Sequence, residues 1–205
     1  MRVGIRLILE NAEDIEVVAE AGDGREAVEA CRTRAVDVAL LDIQMPGGDG
    51  ITAAADIARL SPDTYVVMLT AFGEEAGVTR ALRAGAGGFL LKDTGPNELI
   101  RAVRLAADGE PVLAPRVTRH LLERHVRSGH DTEAALRRTE ELTPAERDVL
   151  RLLGTGLSNA EIAGQLFLSA GTVKAHISRI LTRTGCANRV QAAVLAHDAG
   201  LLSGP

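Results

Sequence analysis

An α/β domain built on a parallel sheet, followed by a small all-α domain, is the fold class this sequence predicts. Three observations carry it. Short apolar runs alternate with helix-like runs through the first half of the chain, the rhythm of βα units. The last sixty-odd residues are a succession of helical segments, each preceded by a capping residue. The charge also changes sign: residues 1–109 hold 11 basic and 18 acidic side chains, whereas 142–205 hold 6 and 4. The chain therefore divides into a front domain over 1–109, a linker over 110–141 and a back domain over 142–205.

In the front, Ile15–Ala21 is expected as a strand and Asp23–Arg34 as a helix with Ala27, Val28 and Cys31 on one face. The run VDVALLD is a continuous apolar strand, typical of a sheet buried on both sides. Gly50–Leu60 is helical until Ser61-Pro62 breaks it. Thr64–Ala71 is a second buried strand, Glu74–Ala84 a helix ending at Gly85, and Gly87–Lys92 another strand. Pro96–Asp108 closes the series as a helix with Pro96 near its first turn.

Parallel sheets place their sites beyond the C-terminal ends of the strands. Asp42, Thr70 and Lys92 fall at three such ends, spaced by about one βα unit each. That trio has a chemistry. A carboxylate can attack a phosphoryl group and form an acyl phosphate. Thr70 can donate a hydrogen bond to the new oxygens, and Lys92 can neutralise their charge. The missing piece is a divalent cation, which requires at least one further carboxylate.

The segments LLDIQMPGGDG, MLTA and GGFLLKD resemble the receiver domain of bacterial two-component response regulators. The resemblance implies Asp42 as phosphoacceptor, Thr70 as switch hydroxyl, Lys92 as phosphate-contacting lysine and Phe89 as the aromatic that repacks on activation. It implies Mg²⁺ during phosphorylation, held by Asp42 and the backbone carbonyl of Gln44. The family's first strand, with its acidic pair, has no counterpart: MRVGIRLILENAEDIEVV matches the end of the next loop and the first helix, and the pair would fall just before Met1. Asp14 and Glu16 sit in the wrong place to replace it. The receiver is thus expected to be N-terminally incomplete. Two explanations stand: a native product starting further upstream, or a degenerate receiver that dimerises or docks.

Between the domains, Pro115–Arg127 is expected as a helix broken by Ser128-Gly129, and HDTEAALRRTEE as loosely ordered. His120, His125 and His130 are five apart, which keeps them off one helical face and argues against a metal site.

In the back, Thr143, Pro144 and Glu146 form a capping-box start for a helix running to Leu153. Ser158 with Glu161 starts the next, a turn comes at Phe167–Leu168, and Ser169 caps TVKAHISRILTRTG. That helix buries Val173, Ile177, Ile180 and Leu181 and turns Lys174, Ser178, Arg179 and Thr182 outward. Asn188 precedes a last helix ending at Gly200. Two helices joined by a tight turn suit a helix-turn-helix. A small bundle with a solvated basic face fits the same pattern.

Residues 142–202 resemble the DNA-binding domain of NarL/LuxR-type regulators, through LTPAERDVLRLLGTGLSNAEIAGQLFLSAGTVKAHISRIL. The resemblance implies that Lys174, Ala175 and Ser178 face bases or adjoining backbone, that Thr172 and Arg179 serve the phosphates, and that Ser169 belongs to the DNA-binding set. Glu146 is implied to organise the bundle. Ala170 and Ser178 depart from the pattern, since many relatives carry an acidic and a basic residue there, so tight binding is expected from a dimer on paired half-sites.

Hydrophobic content of 46% excludes wholesale disorder, and 2% aromatics make the cores aliphatic. No run of 18 apolar residues and no leader-like start appear, so a cytoplasmic protein without a membrane span is expected. Cys31 and Cys186 are expected as buried thiols. The function expected is a DNA-binding transcription regulator controlled by phosphorylation of Asp42, with double-stranded DNA, a sensor histidine kinase and a second copy as partners. The alternative is a phosphorylation-independent DNA-binding protein. A pure docking protein with a silent helix-turn-helix is a third reading. An enzyme with an external substrate is not expected.

Overall fold

The structure is a computed structural model that describes residues 1–45, 48–71, 75–113 and 132–202. The chain divides into two units, one of residues 1–107 and 111–121, the other of 108–110 and 122–205.

The front unit begins with α1 (Arg2–Leu9) and α2 (Gly24–Thr33). Asp23 caps α2 by accepting from the amides of Arg25 and Glu26. Next come β1 (Val38–Asp42), β2 (Gln44–Met45), β3 (Gly48–Asp49), α3 (Gly50–Leu60), β4 (Tyr65–Thr70), α4 (Glu75–Arg83), β5 (Gly88–Leu91), α5 (Pro96–Ala107) and β6 (Val112–Leu113). The main sheet runs β1-β4-β5-β6, with all pairings parallel. β2 and β3 form a separate antiparallel ribbon just beyond the end of β1.

The sheet is buried on both faces, which is why its strands are apolar throughout. On one face Val67, Leu69 and Leu90 pack with Leu9 of α1 and with Leu99, Ala102 and Val103 of α5. Residues of the other parity, among them Ala39, Leu41, Val66 and Met68, are equally buried and point the opposite way. Phe89, Ile57 and Met68 are among the largest fully buried side chains, each contributing roughly 1.5–3 kcal/mol by leaving water.

Three expectations for the front and middle differ from the structure. Ile15–Ala21 carries no strand pairing. Some of its carbonyls are met by arginines instead: Arg2 Nη1 donates to Ala21 O at 2.5 Å, and Arg34 donates to Val18 O. A strand needs a neighbour, and none lies between this segment and β1 among the described residues. Second, Val112–Leu113, assigned to the linker, extends the sheet beside β5. Third, part of the HDTEAALRRTEE segment is ordered: Thr132–Thr139 is helix α6, with Ala135 and Thr139 buried. The helix expected over 115–127 and His120, His125 and His130 lie outside the described residues.

The back unit continues with α7 (Pro144–Gly154), α8 (Asn159–Leu166), α9 (Ala170–Thr184) and α10 (Arg189–Asp198). Both expected capping boxes are present, Thr143 with Glu146 and Ser158 with Glu161. One aliphatic core, including Val149, Leu150, Leu153, Ile162, Val173, Ile180 and Leu195, holds the four helices and Ala135 of α6 together. Cys186 belongs to this core, and Cys31 is buried in the front unit, where burial pushes its thiol pKa up. Both are free thiols. No helix among the described residues is long and apolar enough to cross a membrane.

Candidate phosphoacceptor and nucleic-acid sites

The parallel register fixes the first site. Asp42 is the last residue of β1, opposite Leu69, and Thr70 is the last of β4, opposite Leu91. Lys92 comes directly after the end of β5, and its amide donates to Thr70 O at 3.0 Å. One strand end thus delivers a carboxylate, the next a hydroxyl and the third an ammonium. Lys92 Nζ lies 2.7 Å from Asp42 Oδ1, and the Gln44 amide donates to the same oxygen at 3.0 Å. The Asp42 side chain is 17% exposed, so the carboxylate sits in a shallow recess. Thr70 is buried, and its hydroxyl donates to Ala71 O at 3.2 Å.

Phe89 is placed differently from its three companions. It is fully buried within β5, between Met68 of β4 and Leu113 of β6 in the register. Its ring belongs to the sheet core rather than to the recess around Asp42.

The sequence does not single out Gly50, which this geometry requires. A Cβ at Gly50 would lie 1.9 Å from the carbonyl oxygen of Asp42, closer than any relaxation of a backbone atom accommodates. The start of α3 therefore presses directly on the chain end that presents Asp42. Asp49 caps that helix on the Ile51 amide at 3.0 Å. The glycine-rich stretch after Met45 is the only signal of this in the sequence, and it marks a turn as readily as a close approach.

The described residues supply Asp42 and the Gln44 backbone but no carboxylate cluster for Mg²⁺. Among the described residues no three His, Cys, Asp or Glu side chains gather where they could hold a metal. One Asp42 oxygen, Oδ1, is engaged by Lys92 and the Gln44 amide. Mg²⁺ is ordinarily bound through one or two carboxylates, completed by waters and substrate phosphates, and Asp42 is one such carboxylate.

The second site lies on α8 and α9. The α8 helix ends at Phe167 in the left-handed conformation, with φ 56° and ψ 41°, which produces a sharp turn before Ser169. Ser169 caps α9 by accepting from the Thr172 amide at 3.0 Å, and its hydroxyl lies 2.8 Å from that of Thr172. Val173, Ile177 and Ile180 anchor α9 in the core. Ser169, Thr172, Lys174, Ala175, Ser178 and Arg179 are all exposed. Hydroxyls, a helix N-terminus and two cations on one surface suit contacts to phosphate and to base edges.

Glu146 stabilises the bundle that presents α9. It is 2% exposed, and one carboxylate oxygen accepts from the Thr143 amide and hydroxyl, both at 2.9 Å, and from Arg183 of α9 at 3.1 Å. The Thr143 amide, then the hydroxyl, with Arg183 and His176 adding positive potential, hold its pKa below the usual carboxylate value.

Comparison with known proteins gives each of the two domains a family. Residues 1–104 match the response regulator receiver domain family, and 140–196 match the bacterial regulatory proteins of the luxR family. The chain is 40% identical over 202 residues to the uncharacterized transcriptional regulatory protein YxjL of Bacillus subtilis (strain 168), covering 98% of this chain and 92% of that one. Among solved structures it resembles the response regulator ChrA of a heme-sensing two-component system, with 38% identity, a TM-score of 0.51 and coverage of 98% and 92%. It also resembles RcsB, solved as two dimers bound to two parallel DNAs, with 26% identity, a TM-score of 0.52 and coverage of 96% and 92%. The chain belongs to the NarL/LuxR-type response regulators, in which a receiver domain precedes a LuxR-family helix-turn-helix in a DNA-binding regulatory protein.

Proposed function

We propose that this chain is a cytoplasmic transcription regulator of a two-component phosphorelay, controlled at Asp42 and bound to double-stranded DNA as a homodimer. The observation that carries the reading is the junction of Asp42 and Lys92 at 2.7 Å beside Thr70, at the C-terminal ends of three strands. A partner histidine kinase supplies the phosphoryl group. The Asp42 carboxylate oxygen attacks phosphorus, the imidazole leaves, and an acyl phosphate remains. Lys92 then pairs with a phosphoryl oxygen, and Thr70 turns its hydroxyl from Ala71 O toward the same group. The space that Thr70 vacates beside the sheet core allows Phe89 to repack, which shifts the receiver between two packings.

In the back unit, Lys174, Ala175 and Ser178 address the major groove, while Ser169, Thr172 and Arg179 hold the adjoining phosphates. RcsB bound to DNA as dimers supports the homodimer.

A second reading, a phosphorylation-independent regulator whose receiver dimerises or docks, is favoured by the lack of a metal-holding cluster among the described residues. One assay separates the two. The chain and its D42N variant are incubated with acetyl phosphate and Mg²⁺, then weighed by mass spectrometry. A single added phosphoryl group on the wild-type chain and none on D42N is expected. No addition to the wild-type chain, with DNA binding intact, establishes the second reading.

A further inference from the structure

Phe167 is the one residue other than glycine with positive φ among the described residues, and it is 95% exposed. Neither property stabilises the chain. A bulky side chain in the left-handed region is strained, and glycine or asparagine would make the same turn at lower cost. A ring in water gains nothing from burial. Its backbone role, closing α8 through its amide on Ala163 O, uses no atom of the side chain. The ring is therefore unexplained by the fold of the back unit.

Its position identifies a partner. Phe167 opens a run of exposed residues, Phe167–Thr172, that leads through Ser169 into the N-terminus of α9. In a helix-turn-helix the first helix crosses the DNA backbone and the second enters the groove, so the turn between them lies against the strand at the groove edge. The surroundings suit a polyanion: from Ile162 to His197 there is no Asp or Glu, whereas the exposed Lys174 and Arg179 fall there. Leu168, also exposed, enlarges the apolar surface beside the ring.

We propose that the Phe167 ring packs on the deoxyribose face of the DNA backbone at the groove edge and sets the register of α9. The inference rests on the DNA-binding reading of α9. It adds a contact that is apolar, carries no base information and releases no counterion.

The test uses the full chain with F167N, F167Y and K174A variants, titrated against an operator duplex at several salt concentrations. F167N removes the ring and relieves the backbone. It is expected to leave the melting temperature unchanged or raised and to weaken DNA binding about tenfold, the loss expected when an aromatic ring forfeits part of its burial. Its salt slope stays that of the wild type, because no phosphate contact is lost, whereas K174A removes a groove contact and serves as the control for DNA binding. F167Y retains binding. Wild-type affinity in F167N, with K174A impaired, overturns the ring contact and leaves the DNA reading standing. If K174A and F167N both bind as the wild type does, the DNA reading itself fails. Unchanged DNA binding by F167N with lost transcription assigns the ring to a protein partner and overturns the proposal.

Discussion

At the scale of single residues, Glu146 and Asp42 show what a carboxylate does in two surroundings. Glu146 is buried and accepts from Thr143 and Arg183, so its charge is spent on structure. Asp42 sits at a strand end, half its carboxylate met by Lys92 and one amide among the described residues, in a shallow recess. The first case gives a pH prediction. The folded pKa of Glu146 lies below its unfolded value, so its contribution is present above about pH 4.3 and is lost as pH falls through the folded pKa. E146Q keeps the shape but not the charge, and is expected to cost the back unit about 1–2 kcal/mol at pH 7. Urea unfolding tracked on amide signals of residues 142–202 should show that gap closing below pH 4. A gap that stays constant down to pH 3 would show the charge to be immaterial.

At the scale of elements, β1 is a strand with one neighbour. The Ile43 amide donates to Leu69 O, and the Tyr65 amide to Asp37 O, so the odd-numbered groups of this stretch face β4. Those of Val38, Leu40 and Asp42 face the other edge, where no strand is paired among the described residues. Amide hydrogen exchange at Leu40 is therefore predicted to run at least tenfold faster than at Leu41, although both lie mid-strand. Equal protection would mean that the edge is covered. The same dependence on neighbours explains what was legible in the sequence. α3, α7, α8 and α9 are set by caps and apolar spacing, which are local signals. The ends of β1, β4 and β5 were legible too, and with them Asp42, Thr70 and Lys92, because apolar runs mark strands buried on both faces. Ile15–Ala21 has strand composition, yet pairing requires a partner that composition cannot supply. β6 is two residues long and exists only against β5. α6 offers little apolar surface beyond Ala135, and Arg138 adds to its hold, its guanidinium reaching Thr184 O at 2.9 Å and Cys186 Sγ at 3.3 Å. The steric role of Gly50 depends on the Asp42 carbonyl eight residues earlier, a contact visible only in three dimensions.

At the scale of the whole molecule, the charge asymmetry sets how firmly the chain meets DNA. Residues 1–109 carry a formal charge of -7 and 142–205 of +2, a small positive excess joined to a larger negative one. Exposed charges act over about 8–10 Å at 0.1–0.15 M salt and over about 30 Å at 0.01 M. At low salt the front domain's field therefore opposes the approach of a polyanion wherever the linker places it. The back unit has its own core, drawn from residues 135–202, so a fragment of residues 132–205 retains the elements that bury it. That fragment is predicted to bind non-specific DNA several-fold more tightly than the full chain at 20 mM salt, with the difference vanishing by about 300 mM as screening shortens the field. Fluorescence anisotropy on a labelled duplex across that range measures both curves. An advantage for the fragment that persists at 300 mM would instead identify steric cover by the front domain. A phosphoryl group on Asp42, as proposed, would add negative charge to the front and by electrostatics alone weaken binding further, so any activation through it would have to work through the receiver's packing. A phosphorylated full chain that binds its operator more tightly at low salt would therefore report a conformational gain exceeding an electrostatic loss.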